Sequence, residues 1–252
     1  MIQNIILGIK EYAGVFKLMS DLKLWKYFII PMLISFCTAI LIGVEAYVLS
    51  DNVGVHISKV WIWDWGKEVF SSISNFIGGL IVLIIGLILY KHIIMALSAP
   101  FMSPVSEKIE KYFYGDVSHL HRKTSNTEQL LRGIRINIRN LFKELIITVP
   151  ILVLKFVPVV NIFSTILLFI VQAYYAGFGN MDYTLERHLN YKESVQFVSR
   201  NKGYAIGNGI VFMLFLLIPI VGIIIVLPLS VTAASKKTVQ LMHEKNNLVY
   251  ER

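Results

Sequence analysis

The sequence predicts an all-α integral membrane protein. It would have two long transmembrane helices, two half-penetrating (re-entrant) helical hairpins and amphipathic cytoplasmic helices. Three observations carry this. The 252 residues are 56% hydrophobic with a mean hydropathy of +0.64. Soluble domains hold roughly 45–50% apolar residues, and here the apolar residues fall in long runs. Basic residues are distributed unevenly among the polar segments between those runs. Finally, two apolar stretches bend at a similar phrase, Val157-Pro158-Val159-Val160-Asn161-Ile162 and Ile218-Pro219-Ile220-Val221-Gly222-Ile223. At this length one membrane domain, 1–252, is expected.

The first 22 residues lack the basic start, apolar core and small-residue cleavage site of a signal peptide. Ile2, Ile5, Ile6, Ile9, Ala13 and Phe16 recur at helical spacing, with Lys10, Glu11 and Lys17 off that stripe. They predict an amphipathic helix lying on the membrane surface. Residues 25–49 form the first span, broken only by Pro31 and Glu45. At ~1.5 Å per residue it exceeds the roughly 30 Å hydrocarbon core. Glu45 reads as interfacial, the alternative being a polar pathway. A polar loop over 50–67 carries Trp61, Trp63 and Trp65, an interfacial aromatic belt. Residues 69–90 form the second span, with Gly78, Gly79 and Gly86 permitting close helix packing.

The stretch 91–143 holds Lys91, Lys108, Lys111, Arg122, Lys123, Arg132, Arg135, Arg139 and Lys143. The loop between the spans has only Lys59 and Lys67, opposed by Asp51, Asp64 and Glu68. Positive-inside asymmetry places 91–143 and both termini in the cytoplasm. The net charge of +8 is explained this way, so nucleic acid is not an expected partner. Ser125 and Glu128 have capping-box spacing. In the helix that follows, Leu130, Ile134, Ile138, Leu141 and Leu145 form an apolar side. Arg132, Arg135, Arg139 and Lys143 form a basic stripe suited to lipid phosphates, less often to a substrate.

Residues 145–177 and 210–234 are the hairpins, and 235–252 a cytoplasmic tail. Their arms reach about 14–24 Å, short of the ~30 Å core. The segments beside them are basic and the bends carry no charge. Two hairpins returning to the cytoplasmic side fit best; four ordinary spans remain the alternative. The Pro158 phrase recurs at Pro219, a weak repeat that turn chemistry also explains.

Catalytic and cofactor signatures are missing. The sequence contains no GxxxxGK[ST], GxSxG or HExxH. His119 and His121 flank Leu120 without an adjacent Cys or carboxylate set, so no metal centre is expected. Ser103, Ser106 and Glu107 lack a positioned base and read as helix-capping residues. Cys37 is the single cysteine, which rules out a disulfide framework. No enzyme activity and no cofactor are expected.

The string Ser98-Ala99-Pro100-Phe101-Met102-Ser103-Pro104-Val105-Ser106-Glu107-Lys108-Ile109-Glu110 is the most specific in the chain. It resembles the A-P-F-x-x-x-[LV]-[AS]-E-x-[ILV]-E signature of the CysZ-type sulfate permeases, which belong with the etoposide-induced-protein family. Phe156-Val157-Pro158, Met181-Asp182-Tyr183 and the opening cluster Lys23-Leu24-Trp25-Lys26 before Pro31 match in order. The resemblance implies a multi-pass protein of the bacterial inner membrane, oligomeric, that takes up sulfate for cysteine synthesis. It also implies an anion site, because the family's Gly-hydrophobic-Arg-Arg motif at a helix start falls on Lys23, Leu24, Trp25 and Lys26. Lys23 stands where the family has glycine, and Trp25 where it has the first arginine. A helix amino terminus with flanking cations favours a dianion. The expected partners are therefore sulfate or a similar anion, the lipid bilayer and further copies of the chain. The rival reading is a membrane scaffold, in which Lys23 and Lys26 face lipid headgroups. The Ala99-Pro100-Phe101 turn and Glu107 would be structural.

Overall fold

The computed structural model describes residues 1–59, 65–115, 121–122, 124–154, 160–218 and 220–250. The hairpin bends at 155–159 and at Pro219, together with Trp61, Trp63 and His119, lie outside the described residues.

The described residues form helices and connecting turns, and no strand is found among them. The helices are α1 (Ile2–Lys10), α2 (Val15–Asp21), α3 (Trp25–Ser58), α4 (Lys67–Tyr114), α5 (Asn126–Leu154), α6 (Asn161–Leu185), α7 (Tyr191–Arg200), α8 (Lys202–Leu216) and α9 (Val221–Tyr250). Four are long and apolar enough to cross a membrane: α3, the 85–114 part of α4, α6 and the 221–244 part of α9. The chain is an all-α membrane protein.

α3 and α4 pair along much of their length. At ~1.5 Å per residue their 34 and 48 residues reach about 50 and 70 Å, well beyond a hydrocarbon core. α3 continues to Ser58, so the first part of the loop expected over 50–67 is helical. The span expected at 69–90 is the first half of a helix that runs through to Tyr114. Glycines set the contact. A Cβ at Gly78 would meet the Gly54 nitrogen and Ser50 oxygen at 2.7 Å. The outer faces present Ile29, Leu33, Phe36, Leu41, Phe76 and Leu87 to the surroundings. Such exposure would be a liability in water but is ordinary against lipid.

The turn expected at Ala99-Pro100-Phe101 is helical. Pro100 and Pro104 both sit inside α4. Gly133 of α5 packs there, where a Cβ would come within 2.6 Å of the Ala99 Cβ. Neighbouring packing thus holds the helix through residues that ordinarily break it.

The main core lies where α2, the start of α3, the second half of α4, α6, α8 and α9 meet. Met19, Leu24, Phe28, Tyr90, Ile94, Met102, Phe212 and Val226 are buried there. A second cluster joins Ile136, Phe178, Met181, Phe197 and Met242. α6 and α8 touch backbone to backbone: a Cβ at Gly209 would fall 1.7 Å from the Ala173 oxygen.

α5 starts at the expected capping box. The Ser125 N–H donates to Glu128 Oε2 at 2.8 Å, and the Glu128 N–H to Ser125 Oγ at 3.3 Å. Its orientation differs from the simple amphipathic reading. The buried face holds Asn137, Asn140, Glu144 and Thr148, while Leu131, Ile138, Phe142, Ile146 and Val149 are exposed. The buried face mixes these polar groups with Ile136 and Ile151, and the exposed face mixes the apolar residues with Arg135 and Lys143.

Candidate functional site

The Lys23–Lys26 turn is built by a helix stop. α2 ends with the Leu24 N–H donating to the Met19 carbonyl at 2.8 Å and the Lys23 N–H to the Ser20 carbonyl at 3.0 Å. This paired pattern is the Schellman motif, whose turning residue adopts the left-handed conformation. Lys23 occupies that position with φ 51°. Met19 and Leu24, fully buried, make the apolar contact that accompanies the motif. The geometry gives a physical reason for a glycine at position 23: glycine enters this region without the Cβ penalty that lysine carries.

Leu24 is then the N-cap of α3 and supplies no side-chain cap. The Tyr27 N–H donates to the Leu24 carbonyl at 2.9 Å, which leaves the Trp25 and Lys26 N–H groups of the first turn available to an anion. Trp25 is turned back onto α2, its Nε1 donating to Ser20 Oγ at 3.4 Å and its ring 6.3 Å from that of Phe16. Lys26 stands over the Tyr27 ring, Nζ 5.1 Å from the centroid. Lys108 of α4 approaches the same ring at 5.4 Å and donates to the Leu22 carbonyl at 3.5 Å.

Lys108 of α4 thus reaches the start of α3 beside Lys26. Among the described residues, none of the three lysine ammonium groups pairs with a carboxylate. Glu107, adjacent to Lys108, makes no ion pair with Lys23 or Lys26; its charge acts on Arg187 instead. The only sequence signal for Lys108 was its place in the 98–110 string, because nothing local shows that α4 returns to the start of α3.

The protein interior holds a set of buried ionic contacts. Lys91 Nζ meets Glu144 Oε1 at 2.6 Å and the Gln172 carbonyl at 3.4 Å, while His92 Nε2 lies 3.1 Å from Glu144 Oε2. Arg132, at the head of the basic stripe, grips Asp182 with two nitrogens at 2.9 and 3.2 Å, and also donates to Ser194 Oγ and the Leu189 carbonyl. Burial works to lower the Arg132 pKa, but the Asp182 carboxylate outweighs it and leaves the guanidinium raised. Arg135 stacks on Tyr191 and Arg139 on Phe178. The three arginines of the stripe therefore contact protein side chains.

Glu110 is a further hub. Its Oε2 lies 2.9 Å from His121 Nε2, 2.9 Å from Arg187 Nη2 and 3.1 Å from His188 Nε2, and its Oε1 lies 3.3 Å from His243 Nε2. The carboxylate missing from the immediate sequence around His121 is thus supplied from the end of α4.

These features define a polytopic α-helical membrane protein with buried ion pairs in its interior. A family model described as "Sulfate transporter CysZ/Etoposide-induced protein 2.4" matches residues 12–226, and the chain belongs to that family. No individual curated protein matches the chain.

Proposed function

We propose that the protein carries sulfate or a related oxyanion across the bacterial inner membrane into the cytoplasm, supplying sulfur assimilation. The supporting observation is the approach of Lys26 and Lys108 to one ring at the amino terminus of α3, next to Lys23 in the chain, none of the three paired with a carboxylate among the described residues. Two or three cations beside free N–H groups suit a dianion better than a neutral or cationic solute. Lysines act as point charges rather than forks, so affinity would come from net charge more than from bidentate geometry. In this reading 145–177 and 210–234 enter and leave from the cytoplasmic side. α8, at 15 residues and about 22 Å, is too short to cross. The broad exposed apolar faces of α5 and α6 would meet lipid and further copies of the chain.

The test is radiolabelled sulfate uptake into proteoliposomes, with Lys23→Ala/Lys26→Ala beside the wild type. Flux above empty liposomes, lost in the double variant, is expected. No flux at any pH would overturn transport and favour the scaffold reading. Equal flux in the variant would overturn the site alone.

A further inference from the structure

The Glu110 hub shares no residue with the Lys23–Lys26 turn, and anion transport gives it no task. Three features make it more than an ion pair. First, three nitrogens crowd one oxygen: His121 Nε2, Arg187 Nη2 and His188 Nε2 all lie within 3.1 Å of Glu110 Oε2. A carboxylate oxygen offers about two lone-pair sites, so it cannot accept three well-directed hydrogen bonds. At least one imidazole Nε2 therefore stands at this oxygen without a well-directed hydrogen bond to it. A cation seated among them removes the conflict, because imidazole nitrogens then face it as donors of electron pairs.

Second, the ligand atoms of Glu110, His121 and His188 all lie within 4.8 Å of one another, the spacing of a mixed N/O coordination set. They come from α4, from the segment after it and from the end of α6, so the convergence is a product of the fold and not of helical spacing. His243 of α9 holds the other carboxylate oxygen at 3.3 Å, and its ring stacks on Tyr114 at 3.9 Å. Arg187 anchors the same carboxylate and is itself fixed on the Ser103 carbonyl at 2.8 Å. Hydrogen-bonded supports of this kind orient ligating carboxylates.

Third, the charge suits a dication and the site is reachable. Glu107, Glu110 and Glu186 act on the single Arg187 charge. His121 and Arg187 line a cavity of about 640 Å³ that also touches Ser103, Glu107 and Thr124. Two imidazoles with one carboxylate select metals of the zinc class over calcium or magnesium.

We propose that Glu110, His121 and His188 bind a zinc-class divalent metal, with Arg187 and His243 orienting the carboxylate. Occupancy ties the end of α4 to the end of α6.

The test titrates the full chain, purified in detergent and stripped by a chelator, with cobalt(II) chloride and then zinc chloride. One equivalent of cobalt per chain is expected, with the visible absorption of an imidazole-ligated site, displaced by zinc. His121→Ala/His188→Ala should weaken binding at least tenfold, and His119→Ala should leave it unchanged. Absence of stoichiometric binding in the wild type would overturn the proposal, as would equal binding in the double variant. Should that variant misfold, diethyl pyrocarbonate footprinting of the wild type decides. Zinc must shield His121 and His188 from modification, and their unchanged reactivity would overturn the proposal. Sulfate flux plays no part in these readouts, so the metal site and the transport reading can fail separately.

Discussion

Lys26 and Lys108, from different helices, stand against the same aromatic ring, their Nζ atoms 5.1 and 5.4 Å from the Tyr27 centroid. Two like charges are held near one another where neither has a carboxylate partner. Without an anion that arrangement is mildly repulsive, and with one it becomes attractive. Replacing Lys108 with Ala should lower sulfate flux in proteoliposomes about tenfold, corresponding to ~1.4 kcal/mol of lost interaction. Lys108→Glu should lower it further. Raising ionic strength should shrink the difference between wild type and variant, because exposed charges are screened. Salt-independent flux in both would contradict a charge-based site.

Lys23 sets stability against charge. Its φ of 51° places a side chain in the region that glycine enters freely. Lys23→Gly should raise the melting temperature in detergent, through relief of about 1 kcal/mol of backbone strain. The same change removes one cation and should weaken sulfate uptake. Lys23→Ala removes the cation without the relief. Comparing the two by thermal melt and by flux separates the backbone role from the electrostatic one.

Lys91 and Glu144 are each about 1% exposed and 2.6 Å apart. Removing one partner leaves a buried charge uncompensated. Glu144→Ala should destabilise by about 3–5 kcal/mol, lowering the detergent melting temperature by roughly 10 °C. Lys91→Met/Glu144→Leu should recover most of that loss, since an apolar pair of similar volume carries no desolvation cost. If the double variant melts no higher than Glu144→Ala, the pair is not the source of the effect.

The all-α class and the apolar helices were legible because lipid imposes a simple rule on sequence, apolar runs of sufficient length. The Ser125–Glu128 cap was legible because three-residue spacing is local. α5 was less so. A helix ordinarily buries its apolar stripe, but this one turns Asn137, Asn140 and Glu144 inward and leaves Ile138, Phe142 and Ile146 exposed. The Pro100 turn was misjudged because tertiary packing by Gly133 overrides a local breaker. Lys108 and the histidines around Glu110 depend on contacts between distant segments, which spacing cannot report.

Cys37 gives a direct test of which surface α3 presents. It is the single cysteine of the chain and is exposed, in a helix whose neighbouring Ile40 and Leu41 are also exposed. In water such a thiol would react readily with maleimides. In hydrocarbon a charged reagent does not reach the thiol, because moving its charge out of water is too costly. In sealed membranes Cys37 should therefore resist a charged, water-soluble maleimide from either side, and react once the protein is unfolded in denaturing detergent. A second cysteine introduced at Ser58, where α3 ends, should label in intact membranes and serve as the positive control. Rapid labelling of Cys37 before unfolding would mean that this face of α3 meets water, and the first span would have to be redrawn.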